Sequence, residues 1–383
     1  MKRVGFLYNH DAPHQVAHLA GIMRELAEAG GHEVVAVIGK PQAETVARRL
    51  VRDAAPRIAW QHLTLPPLAQ LAAPALDRLF PFSRLLHLRQ NADAFASLDL
   101  LVSTERTCLR VKDALGTRAP RLVYVPHGSG DRNVAHHPDL ARFDYHLVSG
   151  QKLVDTGRAA GLLTDNVAII GYPKFDTVEL AARPRFFGND APVVLYNPHF
   201  DPYLSSVYRF GEDVLRLFRE RHDYNLIFAP HVMYGRKRLH YSLEFRRFGR
   251  RRDVPAWVAD CPNIRVDLGS PASIDMSYTR AADIYLGDVS SQVYEFLVRP
   301  RACLFLDSHR GGGWRDDGDY QFWHNGPVLQ SVDDLATELP QWRERADEYR
   351  ALQERLFAYT IDRRDEPASR RGARALAEYA ACR

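Results

Sequence analysis

Three short segments carry the side chains best suited to phosphoryl chemistry: His127-Gly128, Ala229-Pro230-His231 and Gly287-Asp288-Val289-Ser290-Ser291. Imidazole titrates near neutral pH, so a histidine can take a proton from an attacking hydroxyl or donate a hydrogen bond to a phosphate. Paired serines at a helix start add hydroxyls to backbone N–H groups that attract anions. Taken singly, each has a plainer role: Ser290 as a helix N-cap, His231 as a hydrogen-bonded loop residue, His127 as a structural or solvated histidine. Taken together they point to catalysis by His127 and His231, with His231, Ser290 and Ser291 on a donor's phosphates. Glu295, about a turn later, is spaced to accept both hydroxyls of a ribose, or is an ordinary surface glutamate. His10, Gly128, Lys174, Arg236 and Arg310 fall at strand ends or in loops and are further candidates for an acceptor or a cleft.

The elements that must position these residues alternate. Strand-like runs at Val4 to Tyr8, His32 to Ile38, Leu98 to Ser103, Arg121 to Pro126, Tyr145 to Ser149 and Val167 to Ile170 are interleaved with helical apolar spacing at Gln15 to Ala29, Gln42 to Ala54 and Arg106 to Leu115. Such β-then-α order implies a mainly parallel sheet covered on both faces. A Pro- and Gly-containing stretch, Ala181 to Pro192, interrupts it. The pattern restarts at Val193 to Tyr196 and continues through Tyr224 to Phe228, Ile264 to Val266, Ala282 to Leu286 and Ala302 to Leu306, with a helix expected over Gln292 to Val298. The expected organisation is an acceptor-side domain over 1–182, a nucleotide-donor domain over 190–345 and a charged helical segment over 346–383. Residues Pro56 to Arg89, rich in Leu and Pro, read as a packed helical insertion.

Hydrophobic residues make up 46% and charged residues 26% of 383, a globular rather than disordered composition. No apolar run approaches the roughly 20 residues that span a bilayer, and Met1-Lys2-Arg3 leads straight into a strand, so a cytoplasmic protein is expected. The four cysteines are scattered and read as reduced packing residues. A net charge of +4 is too small to imply nucleic acid. Between Arg236 and Arg252, however, eight Arg or Lys residues face only Glu244, with Tyr241, Leu243, Phe245, Phe248 and, just beyond, Trp257 interleaved. That stretch suits a polyanionic acceptor or an anionic membrane, with peripheral contact on the inner face of the plasma membrane. The glycine-rich loop Arg310 to Arg315 reads as able to close over a ligand, and the loop Asn9 to His14 as facing the same cleft.

The ordered series His127-Gly128, Phe143-Asp144-Tyr145 with Ser149, Gly171-Tyr172-Pro173-Lys174-Phe175-Asp176, Pro230-His231 and Asp288-Val289-Ser290-Ser291 resembles the CDP-glycerol glycerophosphotransferase family, the teichoic-acid and capsule polymerases. The resemblance covers roughly residues 120 to 310. It implies an α/β chain of GT-B architecture, two Rossmann-like domains with mainly parallel sheets facing across a cleft. It also implies that His127 is the acceptor base and that His231 and the serine pair bind the phosphates of CDP-glycerol or a similar donor, with a polyanionic or lipid-linked glycan as acceptor. No metal or other cofactor is expected, and no Asp-x-Asp ligand pair. The chain departs from the family pattern at Ser129-Gly130-Asp131-Arg132, at Ala229, where arginine is common, and at Val289, where tyrosine is usual. Two alternatives stay open: a sugar transferase or nucleotide-sugar epimerase of the same fold, and a non-catalytic module that binds nucleotide or polyanion.

Overall fold

The computed structural model describes residues 1–10, 13–77, 80–128, 137–163, 165–242 and 244–382. Contacts divide the chain into two units: one runs to Glu179 and takes back the chain from Tyr359, and the other is Leu180–Ala358.

The first unit is built on seven parallel strands: β1 (Lys2–Tyr8), β2 (His32–Ile38), β3 (Ile58–His62), β4 (Leu100–Ser103), β5 (Arg121–Tyr124), β6 (Tyr145–Val148) and β7 (Val167–Ile169). Their order is β3-β2-β1-β4-β5-β6-β7. Central strands read as almost continuous apolar runs because both faces are covered. Val4, Phe6 and Tyr8 of β1 enter one core with Leu19, Ile22 and Met23, while Leu7 enters the other with Phe95, Leu101 and Leu109. The last helix, Ala368–Ala381, lays Ala373 and Leu376 into the first of these cores. Charged residues from 346 onward therefore do not form a segment of their own, since the division between units falls inside the helix Trp342–Thr360.

The second unit repeats the plan with β8 (Val193–Asn197) and β9 (Asn225–Phe228), then a separate antiparallel hairpin, β10 (Leu239–Ser242) with β11 (Arg247–Arg250). It is completed by β12 (Ile264–Val266), β13 (Ile284–Gly287), β14 (Ala302–Leu306) and β15 (Val328–Leu329). The main sheet is parallel and ordered β12-β9-β8-β13-β14-β15, the dinucleotide-fold order in which neighbours reverse between the first and fourth strands of the unit. Packing alone did not fix the insertion as expected. Its helix Pro67–Leu76 leaves Leu68 and Leu71 81% and 80% exposed, while the next helix, Phe82–Gln90, buries Leu88. Leu79, counted in that insertion, and Leu243 lie outside the described residues.

Candidate functional sites on the two units

In an open parallel sheet the crevice lies at the carboxyl ends of the strands where the order reverses. In the first unit that is the gap between β1 and β4. The residues there are polar yet buried: Asn9 after β1, and Thr104 and Glu105 after β4. Helix Phe82–Gln90 is fastened to them, with His87 Nδ1 donating to Asn9 Oδ1 at 3.0 Å and Arg84 paired with Glu105 at 2.8 Å.

His127 stands half-buried just past β5, with Nδ1 3.1 Å from the Thr104 carbonyl. A carbonyl only accepts, so the ring proton sits on Nδ1 and the lone pair on Nε2. Burial holds its pKa below the usual 6.5, the Thr104 bond opposing and the Arg84 charge assisting. His127 is thus a neutral imidazole presenting a basic nitrogen. His14 lies 6.0 Å from it between ring centroids, and His10 lies 6.0 Å beyond His14. Behind them His18 is fully buried against Tyr172, its pKa driven well down by burial and then by the charge of Lys174. Lys174, read as a loop cation, is buried in the structure. Gly128 is half-buried beside His127, while Ser129 to Arg132, and Asp11-Ala12 of the early loop, lie outside the described residues.

In the second unit the strand order reverses between β8 and β13, and the buried Asp288 closes that gap. Its carboxylate accepts from His199 N at 2.8 Å, from Ser206 N at 2.6 Å and from Ser206 Oγ at 2.8 Å. Trp323 Nε1 donates to its carbonyl at 2.6 Å. Burial raises the Asp288 pKa to about 6 even though these N–H and O–H groups favour the anion. Asn197, at the end of β8, knits three strands: Nδ2 donates to Ala229 O at 2.6 Å, and Oδ1 accepts from Tyr285 and Ser290 hydroxyls, each at 3.3 Å.

His231 follows β9 and caps the helix Val232–Arg236, its Nδ1 accepting from Met233 N at 3.3 Å. His199 does the same after β8, its Nδ1 accepting from Asp201 N at 3.1 Å. In both neutral rings the proton therefore belongs on Nε2, the polarity a phosphate oxygen requires and the reverse of His127. The two rings are 5.6 Å apart. His199 is the residue that sequence reasoning missed, yet its signal was present: Pro198-His199 has the form of Pro126-His127 and Pro230-His231, one Pro-His step after each of three strands.

The serine pair separates. Ser290 is buried, its hydroxyl donating to Asn197 Oδ1 at 3.3 Å and accepting from Gln292 N at the helix start at 3.4 Å, whereas Ser291 is exposed at the N-cap position and makes no side-chain cap. The helix it opens, Gln292–Phe296, is shorter than expected and contributes little dipole. Glu295 is buried, which rules out the surface-glutamate alternative. Arg310 is braced rather than poised, with its backbone N–H on Asp307 at 2.6 Å and its guanidinium on Asp317 at 2.5 Å. Asp307 accepts from His309, Arg310 and Gly312 N–H groups, so the glycine-rich loop is a tied turn. Asp317-Gly318-Asp319 is an Asp-x-Asp pair, which corrects the expectation that the chain has none, and it is engaged there, Asp317 accepting from Asp319 N at 3.0 Å. Arg236 is exposed on the far end of the His231 helix. Among the described residues no group of three or more His, Cys, Asp or Glu is arranged to hold a metal.

No family model matches the chain, and no curated protein matches it in sequence. Solved structures do match in fold. The wall teichoic acid polymerase TagF aligns at 12% identity over 99% of this chain and 88% of its own, with a TM-score of 0.63. A variant of TagF soaked with CDPG aligns at 13% over 98% and 88%, with a TM-score of 0.61. The UDP-GlcNAc 2-epimerase of Neisseria meningitidis, bound to UDP-GlcNAc, aligns at 11% over 99% of both chains, with a TM-score of 0.55. At such identities the likeness speaks for architecture: the chain has the GT-B fold, with two α/β units on parallel sheets.

Proposed function

We propose that the chain is a transferase that moves glycerol phosphate, or a related alcohol phosphate, from a CDP-linked donor to a hydroxyl of a cell-surface glycan or lipid-linked acceptor. The observation that carries the reading is the opposite polarity of the strand-end imidazoles at Nδ1: His127 donates there to a carbonyl, whereas His199 and His231 accept there from backbone N–H groups. In the proposed step the acceptor hydroxyl gives its proton to His127 Nε2 and its oxygen bonds to the donor's distal phosphorus. The bond from that phosphorus to the bridging oxygen breaks, and CMP leaves. His199, His231 and Ser291 with its backbone N–H stabilise charge on the phosphate oxygens, each such preorganised donor being worth about 2.7 to 4 kcal/mol in a water-excluded site. Asp288 and Ser290 position them, and Glu295 is assigned the ribose hydroxyls.

Fold likeness to TagF and the family-like motif series support this reading. A second reading is nucleotide-sugar chemistry, favoured by the likeness to an epimerase and by Ala229 and Val289, which depart from the polymerase pattern. Product analysis across a donor panel separates them. CMP released from CDP-glycerol supports alcohol-phosphate transfer, while a free nucleoside diphosphate or an epimerised sugar assigns the site to sugar chemistry. Donor binding without any product would leave a non-catalytic binding module.

A further inference from the structure

The β10–β11 hairpin presents two unlike faces. Residues directly opposite in an antiparallel pair share a face, so Leu239, Tyr241, Phe248 and Arg250 lie together and His240, Ser242, Arg247 and Gly249 lie on the other side. The inner face is seated on the second unit: His240 and Ser242 are buried, and a Cβ on Gly249 would meet Pro202 and Tyr208 within 3 Å. The outer face is uncovered, with Leu239 68%, Tyr241 45% and Phe248 81% exposed and the two aromatic rings 4.5 Å apart. Around it Arg238 and Arg252 face Asp253 and Glu212 at 3.6 and 3.8 Å, whereas Arg246 at the turn and Arg250 on the face itself have no carboxylate partner among the described residues.

We infer that this face is a docking surface for an anionic lipid bilayer, with Leu239, Tyr241 and Phe248 entering the headgroup boundary and the arginines meeting lipid phosphates. Apolar burial and charge attraction add at such a boundary, and tyrosine and arginine are suited to it because each has an apolar body and a polar tip. A soluble polyanion would satisfy the arginines but leave Leu239 and Phe248 in water, which favours the bilayer. The inference rests on the hairpin alone and is independent of the donor chemistry.

Flotation of the full chain with phosphatidylcholine vesicles, with and without phosphatidylglycerol, tests it. Co-flotation is expected only with the anionic lipid and is expected to weaken as salt rises. Replacing Arg246 and Arg250 by Ser should weaken binding on the order of 30-fold. Tyr241→Ser with Phe248→Ser should cost about tenfold or more at unchanged salt dependence. Since both side chains are exposed, an unchanged melting curve is expected for either variant, and the wild-type salt titration stands whatever the variants do. Equal binding to neutral vesicles, indifference to both variants, equal binding to a lipid-free polyanion, or a dimer that dissociates on Phe248→Ser would each overturn it.

Discussion

His127, His199 and His231 share one residue type and one position after a strand, yet the hydrogen bond at Nδ1 gives them opposite jobs. Long-range proton–nitrogen NMR of the rings should show Nδ1–H for His127 and Nε2–H for the other two, and the reverse pattern would remove the base from the mechanism. Glutamine carries an N–H where Nε2–H stood but has no basic nitrogen. His231→Gln and His199→Gln should therefore retain much of the donor affinity that the alanine variants lose, as read by calorimetry. His127→Gln should bind donor normally and turn over at least about 100-fold more slowly. Because the folded pKa of His127 lies below 6.5, protonation removes the base only at lower pH. The acid limb of kcat/KM should fall below that value and be missing from the residual activity of His127→Gln.

Between elements, two contacts set how well these residues are held. Asp288 joins the end of β13 to the 199–206 loop, and Asp288→Ala would strand the N–H groups of His199 and Ser206. The expected loss is about 1–3 kcal/mol in urea unfolding, with weakened donor binding. The raised pKa has its own sign. Burying the anion costs stability above the ordinary 3.8, so the Asp288 contribution worsens as pH rises from there to about 6 and then levels, a slope that Asp288→Asn should lack. In the first unit, a Cβ on Gly150 would collide with the Thr360 carbonyl, where the returning chain docks and Ser149 Oγ donates at 3.0 Å. Gly150→Ala should cost about 1–3 kcal/mol, measured by the same unfolding assay. The strand ends were legible because apolar runs and Pro-His steps are local signals. The Asp288 lock was not, because it joins residues 82 apart in the chain. Neither was the exposed hairpin, where the Leu-His-Tyr-Ser alternation was hidden among arginines.

Across the whole molecule, the repeated β-then-α order was enough to expect two parallel-sheet units. What sequence could not supply was the return of the chain from Tyr359 to the first unit, since a charged helical tail gives no sign of the core that receives Leu376. A chain cut after Ala358 should therefore unfold its first unit at markedly lower urea, while Leu180–Ala358 is continuous and should fold when expressed alone. The proposed reaction draws on residues of both units, so its sharpest test uses the full chain. With CDP-glycerol and a glycerol-phosphate-primed acceptor, CMP should appear in step with acceptor extension, nearly vanish in His127→Gln, and persist in His231→Gln well above His231→Ala. CMP release that is indifferent to His127, or a sugar-nucleotide product in its place, would contradict the account.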